Sequence, residues 1–243
     1  LTTMRQKSIS MNEQDRWIPR VLSTRDEKTE TRALYERIFT EDSPAFLDWY
    51  YEDRCRDNLI LDLREGEEVV SMVHLNPFIM RTRAGARAKV YYIYAVATAP
   101  EARHQGCMAT LLERSFRQME EEDIPFCFLL PVDEAIYTPF DFHTVCNFQE
   151  KKNLDYQDVQ KTYDVYIEEN ADVQRWAEAQ ARLEEAEQEE NAAANDLPDH
   201  PVIMARILSL SAFLRFSGLP EGTDRTQAMR WLQEQRIYIA EEV

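Results

Sequence analysis

The stretch Val96–Phe116, VATAPEARHQGCMATLLERSF, decides how the rest of the chain is read. Its start closes a run from Val90 to Thr98 that is nearly all apolar or aromatic, as expected of a central strand covered on both faces. Its end lies in a predicted helix, Gln105 to Glu121. There Met108, Leu111, Leu112, Ser115 and Met119 fall on one face and charges cover the other. Between them stand Pro100, Arg103 and Gly106, the last being one of only five glycines. A helix that starts straight after a strand presents N–H groups without carbonyl partners and the positive end of its dipole. Gly106 removes a side chain from that approach, and Arg103 adds a cation. Together Arg103, His104, Gln105, Gly106, Cys107, Met108 and Ala109 can cradle a pyrophosphate. No GK[ST] follows, so this is not a P-loop, and GxGxxG is absent, so it is not a dinucleotide fingerprint. A strand-to-helix turn with nothing bound fits the same residues, and the stretch alone leaves both readings open.

The flanking sequence supplies an α/β frame. Thr29–Arg54 reads as two helices: Leu34, Ile38 and Phe39 form one apolar face, and Ser43-Pro44 is a cap and first turn for the second. Asn58–Thr98 reads as three strands turned at Glu65-Gly66-Glu67 and at Arg83-Ala84-Gly85-Ala86. IPFCFLLPV is a buried strand, DEAIYTPFDF a short helix or turn, and HTVCNFQEKKNLDYQ and KTYDVYIEE later strands. These elements predict one mixed α/β domain over residues 17–168, preceded by a tail, residues 1–16. Glu168–Glu190 holds nine acids and two arginines without Gly or Pro, and predicts a largely exposed helix. With the linker that follows, it makes a unit of residues 169–200. VIMARILSLSAFLRFSG is a strand running into a helix, DRTQAMRWLQEQ a short helix, and RIYIAEEV a terminal strand or tail.

Composition narrows the function classes. With 243 residues, 44% of them hydrophobic, the chain can bury a core. Its net charge of −17 argues against nucleic acid as a partner and suits a cationic one. Cys55, Cys107, Cys127 and Cys146 form no CxxC pair, so no metal site is expected, and free thiols suit a reducing cytoplasm. No apolar run approaches the ~18 residues of a membrane span, and the first residues hold no signal core.

The segment resembles the acyl-coenzyme A motif of the GNAT N-acetyltransferase superfamily, an apolar strand, V-x-P-x-x-R-x-x-G-x-G/A and a helix. Two N-terminal helices, a three-strand meander, the buried strand FCFLLP and the element AIYTPFDF match it in order over about 130 residues. A closer likeness is to the enhanced-intracellular-survival (Eis) type. Met108 stands where that group puts a bulkier apolar residue, and PVDEAIYTPFDF resembles its P-x-E-x-x-I-Y-x-x-F-G-Y/F stretch, with Asp141 in place of the glycine. The resemblance implies acetyl-CoA as co-substrate, no metal, and an amine acceptor: a small cationic amine, an aminoglycoside-like molecule or a lysine side chain. It implies that Val96, Ala97 and Thr98 offer backbone groups to the pantetheine arm, and that Arg103 to Ala109 hold the pyrophosphate. It makes Tyr137 the general acid on the departing thiolate and the carboxylate of Val243 the general base. Asp133, Glu134 and His74 are the alternative bases or substrate anchors. It also allows a homo-oligomer, and reads residues 201–243 as a remnant of a sterol-carrier-like domain or a tail, since only 93 residues follow Glu150. The reading from a different class is a non-catalytic acyl-CoA-binding or interaction module.

Overall fold

Local chemistry sets the element boundaries in the computed structural model, which describes residues 17–148, 155–190 and 200–239. The chain runs β1 (Arg20–Leu22), α1 (Arg25–Thr29), α2 (Arg32–Ile38) and α3 (Pro44–Glu52), then β2 (Leu59–Glu65), β3 (Glu68–Thr82) and β4 (Arg87–Thr98). Next come α4 (Cys107–Glu121), β5 (Phe126–Leu129), α5 (Glu134–Tyr137), β6 (His143–Asn147), α6 (Tyr156–Thr162) and β7 (Val165–Ile167). The last described elements are α7 (Ala171–Glu190), β8 (Val202–Ile207), α8 (Leu210–Ser217), α9 (Arg225–Glu234) and β9 (Ile237–Tyr238). Pro44 opens α3 under a bond from Phe46 N–H to Ser43 Oγ (3.0 Å), as its sequence predicts. The two hairpin turns fall where expected, with Gly66 and Gly85 at φ +65° and +94°.

The strands form one mixed sheet in the order β1-β2-β3-β4-β5-β8-β6, with β7 on β3 and β9 on β7. The long β3 serves two partners on one edge: its first half pairs with β2 and its last three residues, Met80–Thr82, with β7. Successive residues of a strand point to opposite faces. His74 and Phe78 therefore share a face, where His74 stacks on Tyr50 of α3 and Phe78 meets Trp176 of α7. Tyr91, on the other face, hydrogen-bonds Glu122 at the end of α4 (2.9 Å). Leu111, Leu112, Ser115, Phe116 and Met119 are the buried stripe of α4.

Two expectations are corrected. The described part of the segment expected as a separate unit, residues 201–239, is not set apart from the sheet. β8 lies between β5 and β6, antiparallel to both, so the frame expected to end at residue 168 extends to Tyr238. Tyr156–Thr162, within or beside segments expected as strands, is a helix. Asp155 caps it by accepting from Gln157 N–H (2.8 Å). The acidic helix α7 is largely exposed over its described side chains, as expected; Val173 and Trp176 are its buried residues, and the Trp176 ring covers the buried Arg54 guanidinium at 3.9 Å.

Candidate active site

The parallel pairing of β4 with β5 is short. It joins Tyr91 to Cys127 and Tyr92 to Phe128 and goes no further. From Ile93 onward β4 keeps β3 as its partner, and among the described residues no strand lies beside its other edge. A bulge marks the same place. Met72 faces Ala97 but His74 faces Tyr94, so Ala95 and Val96 together oppose Val73. Ala95 takes φ +47°, a strained setting for a residue with a Cβ. The bulge re-aims the strand just where its outer edge opens.

The chain then turns through Pro100–Ala102 into α4. Gly106 precedes the helix at φ +79° and caps it without a side-chain bond. Thr110 N–H is the first to reach a carbonyl of the turn, Gly106 O at 3.0 Å. The N–H groups of Met108 and Ala109 come earlier in the helix and have no carbonyl to receive them. A Cβ built on Gly106 meets nothing within 4 Å, so the space over the helix start is open. Arg103 leans back on the strand, its Nε donating to Thr98 O (3.2 Å). Arg37 of α2 forms a bidentate pair with Glu101 (2.7 and 2.8 Å), tying α2 to the turn.

Nine of the ten residues expected to hold the cofactor line a single cleft of about 500 Å³: Val96, Ala97, Thr98, Arg103, His104, Gly106, Cys107, Met108 and Ala109. Gln105 is the exception. It turns away from the cleft, and its Nε2 donates to Glu101 O (2.9 Å). Ile38 of α2, Ala102 of the turn and Ile136 of α5 complete the lining, and none of the three was expected from the sequence to face a ligand. The cleft joins an open strand edge, which suits an amide-bearing chain, to a glycine-led helix start with an arginine beside it, which suits a pyrophosphate. The residues present fit an acyl-coenzyme A.

Tyr137 follows Ile136. Its half-buried ring packs edge-on against Phe142 (6.0 Å), which in turn packs on Phe116 of α4 (5.9 Å). Burial pushes its phenol up to about 12, so the hydroxyl keeps its proton at neutral pH. That hydroxyl has no hydrogen-bond partner among the described residues. The expected bases fare differently. Val243 lies outside the described residues. Asp133 is the cap of α5, accepting from Ala135 N–H (2.9 Å), and Glu134 accepts from Thr144 Oγ1. His74 is fully buried, and desolvation lowers its imidazole to about 3, so it stays neutral inside the fold. Its Nδ1 meets Tyr50 Oη at 2.9 Å. Among the described residues no cluster of three His, Cys, Asp or Glu could hold a metal ion, and no helix is long and apolar enough to cross a membrane.

The model of the Acetyltransferase (GNAT) domain matches residues 22–145, just over half of the chain. The chain belongs to the GNAT acetyltransferase family. The match runs from the last residue of β1 into β6 and so contains every residue that lines the cleft. Among solved structures, a GCN5-related N-acetyltransferase from Kribbella flavida is 14% identical over 82% of this chain and 73% of its own, with a TM-score of 0.53, a likeness of fold. A GCN5-related N-acetyltransferase from Anabaena variabilis (16%, TM-score 0.46) and Eis1 from Mycobacterium abscessus (14%, TM-score 0.45) each share 54% of this chain. The chain spans about a third of those two proteins, 33% and 32% of their lengths. No curated protein matches.

Proposed function

We propose that the chain transfers an acetyl group from acetyl-CoA to a primary amine by direct attack of the amine on the thioester. The observation that carries this reading is the convergence of nine predicted residues on one cleft, between the open edge of β4 and the glycine-led start of α4. Arg103 and the first-turn amides of α4 hold the pyrophosphate, and Val96 to Thr98 bind the pantetheine arm along the strand edge. Ile38 and Ile136 shield the arm from water. Tyr137 donates its phenolic proton towards the sulfur as it departs. The acceptor is a small cationic amine, an aminoglycoside-like molecule or a lysine side chain, which the net charge of −17 favours through attraction of cations. Kinship to the Eis type is supported by Met108 at the turn and by the PVDEAIYTPFDF stretch.

Isothermal titration of the chain with acetyl-CoA is the first test, and binding in the micromolar range is expected. Absence of binding at millimolar acetyl-CoA overturns the reading. Release of free thiol is then followed over a panel of polyamines, aminoglycosides and lysine peptides. Binding without turnover on every member points instead to a non-catalytic acyl-CoA-binding module.

A further inference from the structure

We propose that Arg206 of β8 is a positioning residue for the general acid, fixing the turn that carries Tyr137 so that the phenol meets the departing sulfur; this rests on the acetyl-transfer reading above. Tyr137 closes α5, a helix of one turn, and is followed by a 3₁₀ turn over Thr138–Phe140. So short a helix does not hold itself in place. The phenol has no hydrogen bond among the described residues, so its tip is not fixed either. Two side chains of the sheet bond to this segment among the described residues. Thr144 of β6 donates to Glu134 at its start, and Arg206 donates from Nη1 to Phe140 O at its end. Tyr137 lies between the two ties, directly after Ile136, which lines the cleft.

Arg206 also holds a second support of the same tyrosine. Its guanidinium lies over the Phe116 ring of α4, 4.2 Å from the centroid. Phe116 packs on Phe142 (5.9 Å), and Phe142 meets the Tyr137 ring edge-on (6.0 Å). The contacts close a loop, from Tyr137 through Phe142, Phe116 and Arg206 to Phe140. It takes in both the backbone that follows the tyrosine and the rings behind it. A planar guanidinium suits this double task, since its edge donates while its face stacks. Stability alone does not account for it. Arg206 Nε is buried with no partner among the described residues, and enclosing such a group is unfavourable. An apolar side chain would spare that penalty but leave Phe140 O untied. Burial alone raises the Tyr137 phenol, so Arg206 acts on where the hydroxyl stands and not on its acidity.

The step that depends on Arg206 is the departure of the thiol. The amine lone pair attacks the thioester carbonyl, the N–C bond forms, and the nitrogen loses one proton to water. The C–S bond breaks with its electron pair on sulfur, sulfur takes the Tyr137 proton, and water restores the phenol. Arg206 itself exchanges no proton. The transfer needs the hydroxyl within hydrogen-bond reach of sulfur as the bond breaks. A misplacement of about 1 Å is enough to lower the rate about 100-fold. Arg206 stands 66 positions beyond Phe140 and outside residues 22–145, so the acid is held by a strand that the matched domain does not include.

The test is a double-mutant cycle in the full chain, with acetyl-CoA and the best acceptor of the amine panel. Arg206→Met keeps a stem on Phe116 and removes the donor. Its kcat is expected to fall about 10- to 100-fold with acetyl-CoA affinity unchanged. In a Tyr137→Phe background the same substitution should change kcat by less than about twofold, because the proton that Arg206 positions is no longer there. Arg206→Lys can still donate to Phe140 O and should recover part of the rate. Wild-type kcat in Arg206→Met overturns the assignment. An equal fall in both backgrounds also overturns it, since that is a purely structural effect. If Arg206→Met loses acetyl-CoA binding, the cycle is run with Arg206→Lys and read in the same way. A wild-type chain that binds no acetyl-CoA, or a Tyr137→Phe chain with wild-type turnover, overturns the reading of the site above and the role of Arg206 with it.

Discussion

Helices α8 and α4 start in opposite ways. At α8, Ser209 Oγ accepts from Ala212 N–H (3.2 Å), and at α9 Asp224 and Gln227 cap each other reciprocally. At α4 the capping position is Gly106 in the left-handed region, with no side chain to offer. All three helices face the same deficit of acceptors for their first amides. Where the helix only supports the fold, its own side chains make up the deficit. Where it borders the cleft, no side chain makes up the deficit.

The largest expected effect leaves both kinds of helix start intact. Tyr137→Phe should lower turnover at least about 100-fold, the usual worth of a positioned proton donor, with acetyl-CoA affinity unchanged by titration. Gly106→Val attacks the open start directly. A Cβ there meets no protein atom, so its cost is backbone strain of about 1–2 kcal/mol plus obstruction of the anion's approach. Acetyl-CoA affinity should fall about 100-fold, roughly 2.7 kcal/mol.

A third test concerns the scaffold behind the cleft. His74 is neutral in the fold with its imidazole lowered to about 3, whereas in the unfolded chain it charges near its ordinary value. Its contribution to stability is thus complete above about pH 6.5 and drains away between about 6.5 and 3, by up to ~1.4 kcal/mol per pH unit. Urea unfolding should show the wild-type advantage over His74→Leu narrowing by about 2 kcal/mol from pH 7 to 5. The smallest effect is at the closed start: Ser209→Ala should cost about 1 kcal/mol in urea unfolding and leave acetyl-CoA affinity untouched. If Ser209→Ala weakened the cofactor as much as Gly106→Val, the contrast between the two starts would be lost.

Legibility in the sequence followed the range of the forces involved. Helices α2, α3, α4, α8 and α9, the hairpins of β2 to β4 and the glycine turn into α4 were readable because caps, glycines and apolar spacing act within a few residues. The insertion of β8 was not, since Phe128 meets Ala205 across 77 positions and nothing local specifies that pairing. The Ala95 bulge carries no glycine to announce it. Tyr94 reads as one more aromatic in a central strand, and only the fold brings it to Tyr35, 59 positions earlier. Ile38 reads as core, as indeed it packs against it, and only the docking of α2 beside the turn, through the Arg37–Glu101 pair, places it on the cleft.

The place of β8 bears on the order of assembly. β5 and β6 are synthesised long before the strand that joins them, and they share no ladder of their own. During synthesis, therefore, β5 keeps a bare apolar edge until residue 207 has emerged, a segment exposed to mispairing with other chains. The sheet behind the cleft is finished late, so the emerging chain has the turn at Gly106 before it has the sheet that steadies it.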